Sequence, residues 1–126
     1  MIEGLFNLTN YQSAKKLMDV TEMRQRAIAS NIANVETPGY KRVDVPKSFQ
    51  EELRQAISTK DKSAISSLQP RIETDAFAIA RTKDGNTVQI ENEMLRLNEN
   101  AMEHQMEVRL VNGTLSYLKM AITGKA

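Results

Sequence analysis

The stretch that decides the fold is MLRLNENAMEHQMEVRLVNGTLSYLKMAI, Met94 to Ile122, in which apolar side chains recur at alternating steps of three and four residues. Its members are Met94, Leu97, Ala101, His104, Val108, Val111, Leu115, Leu118 and Ile122. This is a heptad seam over roughly eight helical turns, with His104 as the polar entry. A seam this narrow buries little area by itself, and an isolated helix is marginal in water, so the stripe needs a helical cover. The flanks are mostly amides and small groups (Asn98, Asn100, Gln105, Asn112, Thr114, Ala121), with only Glu107 and Lys119 charged. That is unlike a two-stranded zipper selected by flanking ion pairs, and several helices are expected to meet here.

Composition removes whole classes of function. A chain of 126 residues suits one domain, and 17 Lys plus Arg against 16 Asp plus Glu leave a net charge of +1, which makes no field for nucleic acid or anionic lipid. Three Phe, three Tyr and no Trp are few aromatics for a globular core, whereas seven Met suit adaptable helix contacts. Without Cys there is no disulfide, thiolate nucleophile or Cys-ligated metal. No apolar run approaches the ~18 residues of a membrane span. Met1 to Asn10 lacks the basic and long apolar segments of a cleaved secretory signal, so the expectation is a chain that stays in the cytosol or leaves by another route.

From the N-terminus, Leu5, Phe6 and Leu8 precede Thr9 and Asn10, which are cap residues for a helix expected from about Tyr11 to Val35. Leu17, Val20, Ala27, Ile28, Ile32 and Val35 share a broad face of that helix, and Thr21, Arg24 and Asn31 fall inside the same face. The polar three are either edge residues of an ordinary amphipathic helix or, for Arg24 and Asn31, contacts between helices. The helix then meets Thr37-Pro38-Gly39-Tyr40. Thr37 precedes proline and is pushed out of helical geometry, and Pro38 followed by Gly39 suits a type II turn.

Residues 29 to 42, Ala-Ser-Asn-Ile-Ala-Asn-Val-Glu-Thr-Pro-Gly-Tyr-Lys-Arg, resemble the N-terminal signature of the bacterial flagellar rod and hook proteins, whose core is A-S-N-x-A-N-x-x-T-x-G-Y. Gly85 to Met94 and Val111 to Ile122 are similar to the proximal rod members of that axial family, the FlgB type, and the three stretches span roughly three tenths of the chain. The resemblance implies a structural subunit that polymerises through its terminal helices. It also implies export without cleavage through the flagellar type III apparatus and a place in the periplasmic rod. The partners it implies are other copies, other rod proteins, the rod-base adaptor and the MS ring.

In the middle, Val43 and Val45 alternate before Pro46, and Phe49, Leu53 and Ile57 lie four apart on a short helix. Ser58 to Ser67 has few apolar anchors, and a mobile loop is expected there. Ala76 to Arg81 and Thr87 to Ile90 read as short strands around Lys83-Asp84-Gly85-Asn86, where Asp-Gly signals a turn.

Catalytic readings find no footing. His104 is the only histidine, and its helical neighbours Asn100, Glu103 and Glu107 supply no second imidazole. Glu51 and Glu52 point in different directions on a helix, and Gly39 and Gly85 lack phosphate-loop spacing. Gly113 reads as a site of close helix approach. Lys15, Lys16, Arg24, Arg26, Lys41 and Arg42 are interleaved with acids and lack an aromatic platform, so nucleic acid is disfavoured.

The fold expected is all-α: long N- and C-terminal helices packed as a coiled-coil-like hairpin, an irregular and partly disordered middle, and room for a small β-hairpin. Residues 1–42 form the first helix and its corner, 43–90 the weakly ordered middle and 91–126 the heptad helix, the two ends making one helical domain. The expected assembly residues are Leu17, Arg24, Ile28, Asn31, Ile32, Asn34, Val35, Leu97, Ala101, Val108, Val111, Leu115, Leu118 and Ile122, with Thr37, Pro38, Gly39 and Tyr40 as the signature turn. No catalytic, metal or cofactor residue is assigned. The rival reading is a cytoplasmic helical adaptor or export chaperone that binds one partner helix, which the seam alone equally allows.

Overall fold

A computed structural model describes residues 2–124, with side-chain environments from Thr9 onward. Two long helices dominate it, α1 (Ile2–Ala33) and α4 (Ile90–Thr123). Asn31 meets Glu93 and Thr21 meets Glu107, so the two run antiparallel as the expected hairpin. Between them lie β1 (Val43–Asp44), α2 (Lys47–Ser58), α3 (Lys62–Ser67) and β2 (Glu73–Thr74).

The apolar core lies between α1, the end of β1 and α2. Val20, Val45, Phe49 and Leu53 are buried together, with Leu17, Met23, Ile57 and Leu68 packed around them. The four-residue spacing of Phe49, Leu53 and Ile57 forms the predicted short helix because it sets those side chains on one face.

Four expectations differ from what is found. Helix α1 begins at Ile2 rather than near Tyr11: Thr9 is buried inside it and its carbonyl accepts from the Ser13 hydroxyl at 2.8 Å. Ser13, another cap-type residue, sits inside the helix by donating its hydroxyl back to that carbonyl, so residues of this type do not by themselves mark a helix start. The stretch expected to be a mobile loop contains α3, capped by the Asp61 carboxylate on the Ala64 N–H and anchored by the fully buried Ile65. One deep apolar side chain and one cap outweigh the polar composition.

The expected hairpin of residues 76–81 with 87–90 is also absent. The Asp84-Gly85 turn is present, with φ +80° at Gly85, but its flanks pair elsewhere. The Thr87 N–H donates to the Tyr40 carbonyl at 3.0 Å, and the two-stranded sheet instead pairs Val43 with Thr74 and Asp44 with Glu73, antiparallel. Finally, a Cβ added at Gly113 has nothing within 4 Å among the described residues, so the close helix approach expected there is not seen among them.

Candidate assembly interface and the signature corner

The last turn of α1 and the corner after it are built from side-chain amides. Asn31 is fully buried; its amide nitrogen donates to the Val43 carbonyl at 2.9 Å and to Glu93 Oε2 at 3.2 Å. Its oxygen accepts from the Val43 N–H at 2.8 Å and the Tyr40 hydroxyl at 3.3 Å. That one side chain therefore joins α1, β1, the corner and α4. Tyr40 Oη also lies 2.9 Å from the Ser30 hydroxyl. Asn34 Nδ2 donates back to the Ser30 carbonyl at 2.8 Å, and its Oδ1 accepts from the Thr37 hydroxyl at 3.1 Å.

The turn closes through the Tyr40 N–H to the Thr37 carbonyl at 3.2 Å, with Pro38 at its first corner and Gly39 at φ +74° at its second. Only glycine takes that dihedral without strain. The open C-terminus of α1 is then closed from fifty residues away. Asn86 Nδ2 donates to the carbonyls of Asn34, Val35 and Thr37 at 3.0, 3.0 and 2.8 Å, while its Oδ1 accepts from the Val88 N–H at 2.7 Å.

Arg42 pins the corner to α4. Its Nε donates to Glu93 Oε1 at 2.8 Å, and its other nitrogens pair with Asp75 and with Asp44, the latter at 3.2 Å. Burial opposes the guanidinium charge, but the bond and the field of Glu93 outweigh it, followed by Asp75 and Asp44, so the group is pushed above its ordinary value. Asp75 sits below the usual carboxylate range: burial resists ionisation, and the Phe77 N–H and Arg42 overcome it.

Along the hairpin, α4 presents Glu93, Asn100 and Glu107 to α1, all buried and seven residues apart. Asn100 Nδ2 donates to the Thr21 carbonyl at 2.9 Å and to Gln25 Oε1 at 3.3 Å; its buried Oδ1 has no partner among the described residues. Glu107 Oε2 lies 2.9 Å from the Thr21 hydroxyl. Burial raises the Glu107 carboxyl above its ordinary value, the Thr21 hydroxyl partly opposing this and neighbouring Glu103 adding to it.

The face of α4 that meets α1 is thus rotated by one residue from half of the apolar seam. Leu97, Val111 and Leu118 of the seam are half-buried beside the polar line, as is Val108, while Met94, Ala101, His104, Leu115 and Ile122 are exposed. Of the remaining sequence-derived residues, Ile28 is buried, and Ile32, Asn34, Val35 and Leu17 are half-buried, Leu17 against α2. Arg24 reaches Glu103 at 3.3 Å and Asp44 at 3.7 Å, so Arg24 and Asn31 are contacts between elements rather than edge residues. Sequence reasoning missed Arg42, Asp75, Asn86, Glu93 and Asn100. The signal available was the seven-residue recurrence of Glu93, Asn100 and Glu107, parallel to the seam.

Among the described residues no helix is long and apolar enough to cross a membrane, and no cluster of three His, Asp or Glu is placed to hold a metal ion.

The family described as "Flagella basal body rod protein" matches residues 21–41, the second half of α1 and the corner just described. The flagellar basal body rod protein FlgB of Bacillus subtilis strain 168 is 32% identical over 90% of this chain and 92% of its own length. This chain belongs to the FlgB family. FlgB of Borrelia hermsii is 33% identical over 74% of this chain and 80% of its own length, and FlgB of Cereibacter sphaeroides 31% identical over 82% and 86%. The similarity to FlgB proteins takes in both terminal helices and the middle, so the expectation from three short stretches extends to nearly the whole chain.

Proposed function

We propose that this FlgB-family chain, a structural subunit of the flagellar basal body rod, enters the proximal rod by adding the exposed half of its α4 seam to helices of neighbouring subunits. The observation that carries this reading is the division of labour on α4. Its polar line fixes the hairpin internally, while Leu115 and Ile122 are 45% and 83% exposed at heptad spacing. Buried Ile28 and Asn31 hold the hairpin that displays this edge. The domain division that fits is a helical body from residues 1–42 and 91–126, with 43–90 bracing it. In this reading the chain works by assembly and catalyses nothing. It passes through the type III export apparatus uncleaved, and its neighbours are copies of itself, other rod proteins, the rod-base adaptor and the MS ring. A cytoplasmic adaptor binding one helix does not fit membership of a rod family.

Replacing Leu115 with Asp tests it. A carboxylate in a closed helical interface costs several kcal/mol of desolvation, on top of roughly 1.5 to 3 kcal/mol of lost leucine burial. Leu115→Asp should abolish rod assembly and motility while the monomer stays folded, and Ser116→Asp should be much milder. Equal motility of the two variants refutes the seam as the interface.

A further inference from the structure

A groove of about 250 Å³ lies between α1, α2 and α4. Its floor is an edge of the apolar core, with Val20 and Leu53 buried and Leu17 and Ile57 half-buried around them. Glu103 and Glu107 of α4 border it. Substrate and cofactor sites occupy roughly 300 to 1,000 Å³, so this smaller groove suits one long side chain.

The charges around the groove leave one acid over. Arg24 is held by Glu103 at 3.3 Å and by Asp44 at 3.7 Å, and Arg54 by Glu51 at 3.5 Å. Glu107 is 7% exposed and has no ion pair among the described residues, where its one hydrogen bond comes from the Thr21 hydroxyl to Oε2 at 2.9 Å. A carboxylate taken out of water with a single neutral donor is under-satisfied. Its raised titration agrees: burial dominates, and the fields of His104 and Arg24 fall short of offsetting it.

Whatever completes the site brings an apolar stem for the floor and a positive head for Glu107. Lysine supplies both, since its methylene stem lies along apolar surface while the ammonium reaches a polar partner. Arginine fits less well, because its planar fork seeks two carboxylate oxygens and Oε2 already accepts from Thr21. We propose that in the rod a lysine of a neighbouring subunit enters this groove, its stem on Leu17, Val20, Leu53 and Ile57 and its ammonium on Glu107. This rests on the rod-subunit reading and adds to it a contact separate from the α4 seam. Glu107 then serves assembly while weakening the isolated fold.

The probe is n-butylammonium, a lysine side chain without its backbone, with 1-butanol as the neutral counterpart. Each is titrated into purified full-length protein at neutral pH and followed through the methyl resonances of Leu53 and Ile57. The ammonium should bind about tenfold more tightly than the alcohol, as a charge-assisted contact does. In Glu107→Gln, which keeps the side chain's shape, that preference should vanish. The same variant should assemble fewer rods and swim less although its isolated chain is the more stable, whereas a purely structural role for Glu107 predicts no loss of assembly. Equal binding of ammonium and alcohol to the wild type overturns the proposal. Wild-type motility of Glu107→Gln overturns it too, since any ammonium bound in solution then stands for a free amine and not for a subunit. Leu115→Asp reads the seam alone, so lost motility there with none lost in Glu107→Gln sinks this inference and leaves the rod reading standing.

Discussion

Asn31 shows how much order one side chain can impose. Its amide meets the Val43 N–H and carbonyl, Glu93 and Tyr40 in a fully buried site, so truncation strands several buried polar groups at once. Each stranded buried group costs ~1 to 3 kcal/mol, and Asn31→Ala is expected to lower stability by about 3 kcal/mol in urea titration. Glu107 makes the opposite case. Its folded-state carboxyl titrates above its ordinary value because of burial, so the native state holds a proton more tightly than the unfolded chain. Stability from this group therefore rises as pH falls from neutral through the raised value, and levels off at the ordinary carboxylate range. Below that range Asp75, whose value is lowered, begins to withdraw stability. Glu107→Gln should be more stable than wild type at neutral pH by about 0.5 kcal/mol, and thermal melts should show the gap closing as pH falls through the raised value.

Among the elements, α3 is the clearest case of a short segment held by one anchor. Ile65 is fully buried in a six-residue helix, and Lys16 Nζ donates to the Leu68 carbonyl just beyond it at 2.7 Å. Ile65→Ala should cost about 2 to 4 kcal/mol. Hydrogen exchange should show residues 61–68 opening well before α1, and equal protection of both refutes the single-anchor account. At this scale the sequence was legible wherever periodicity ran long. Both terminal helices and α2 follow from apolar spacing. It misleads where partners are distant: local pattern pairs residues 87–90 with residues 76–81, but the Thr87 N–H donates to the Tyr40 carbonyl. The seam itself was visible. Which edge of it faces α1 was not, because that depends on Glu93, Asn100 and Glu107 finding buried partners on α1.

For the molecule as a whole, family and architecture were accessible from residues 29–42, 85–94 and 111–122, since they carry the corner and half of α4. The bracing network was not, because Arg42, Asp75 and Asn86 have ordinary local contexts and acquire their roles only when residues 33 to 52 apart are brought together. The corner is where that separation matters most. The amide that closes α1 belongs to Asn86, and the carbonyls it receives belong to Asn34, Val35 and Thr37. Contacts this remote in sequence form late in folding, so Asn86→Ala should cost about 2 kcal/mol and speed unfolding in stopped-flow while leaving the refolding rate nearly unchanged. A chain emerging amino end first thus carries an unlatched hinge until its second half is out. The first helix is long finished by then, but the direction in which the rest departs from it stays undecided until the eighty-sixth residue arrives.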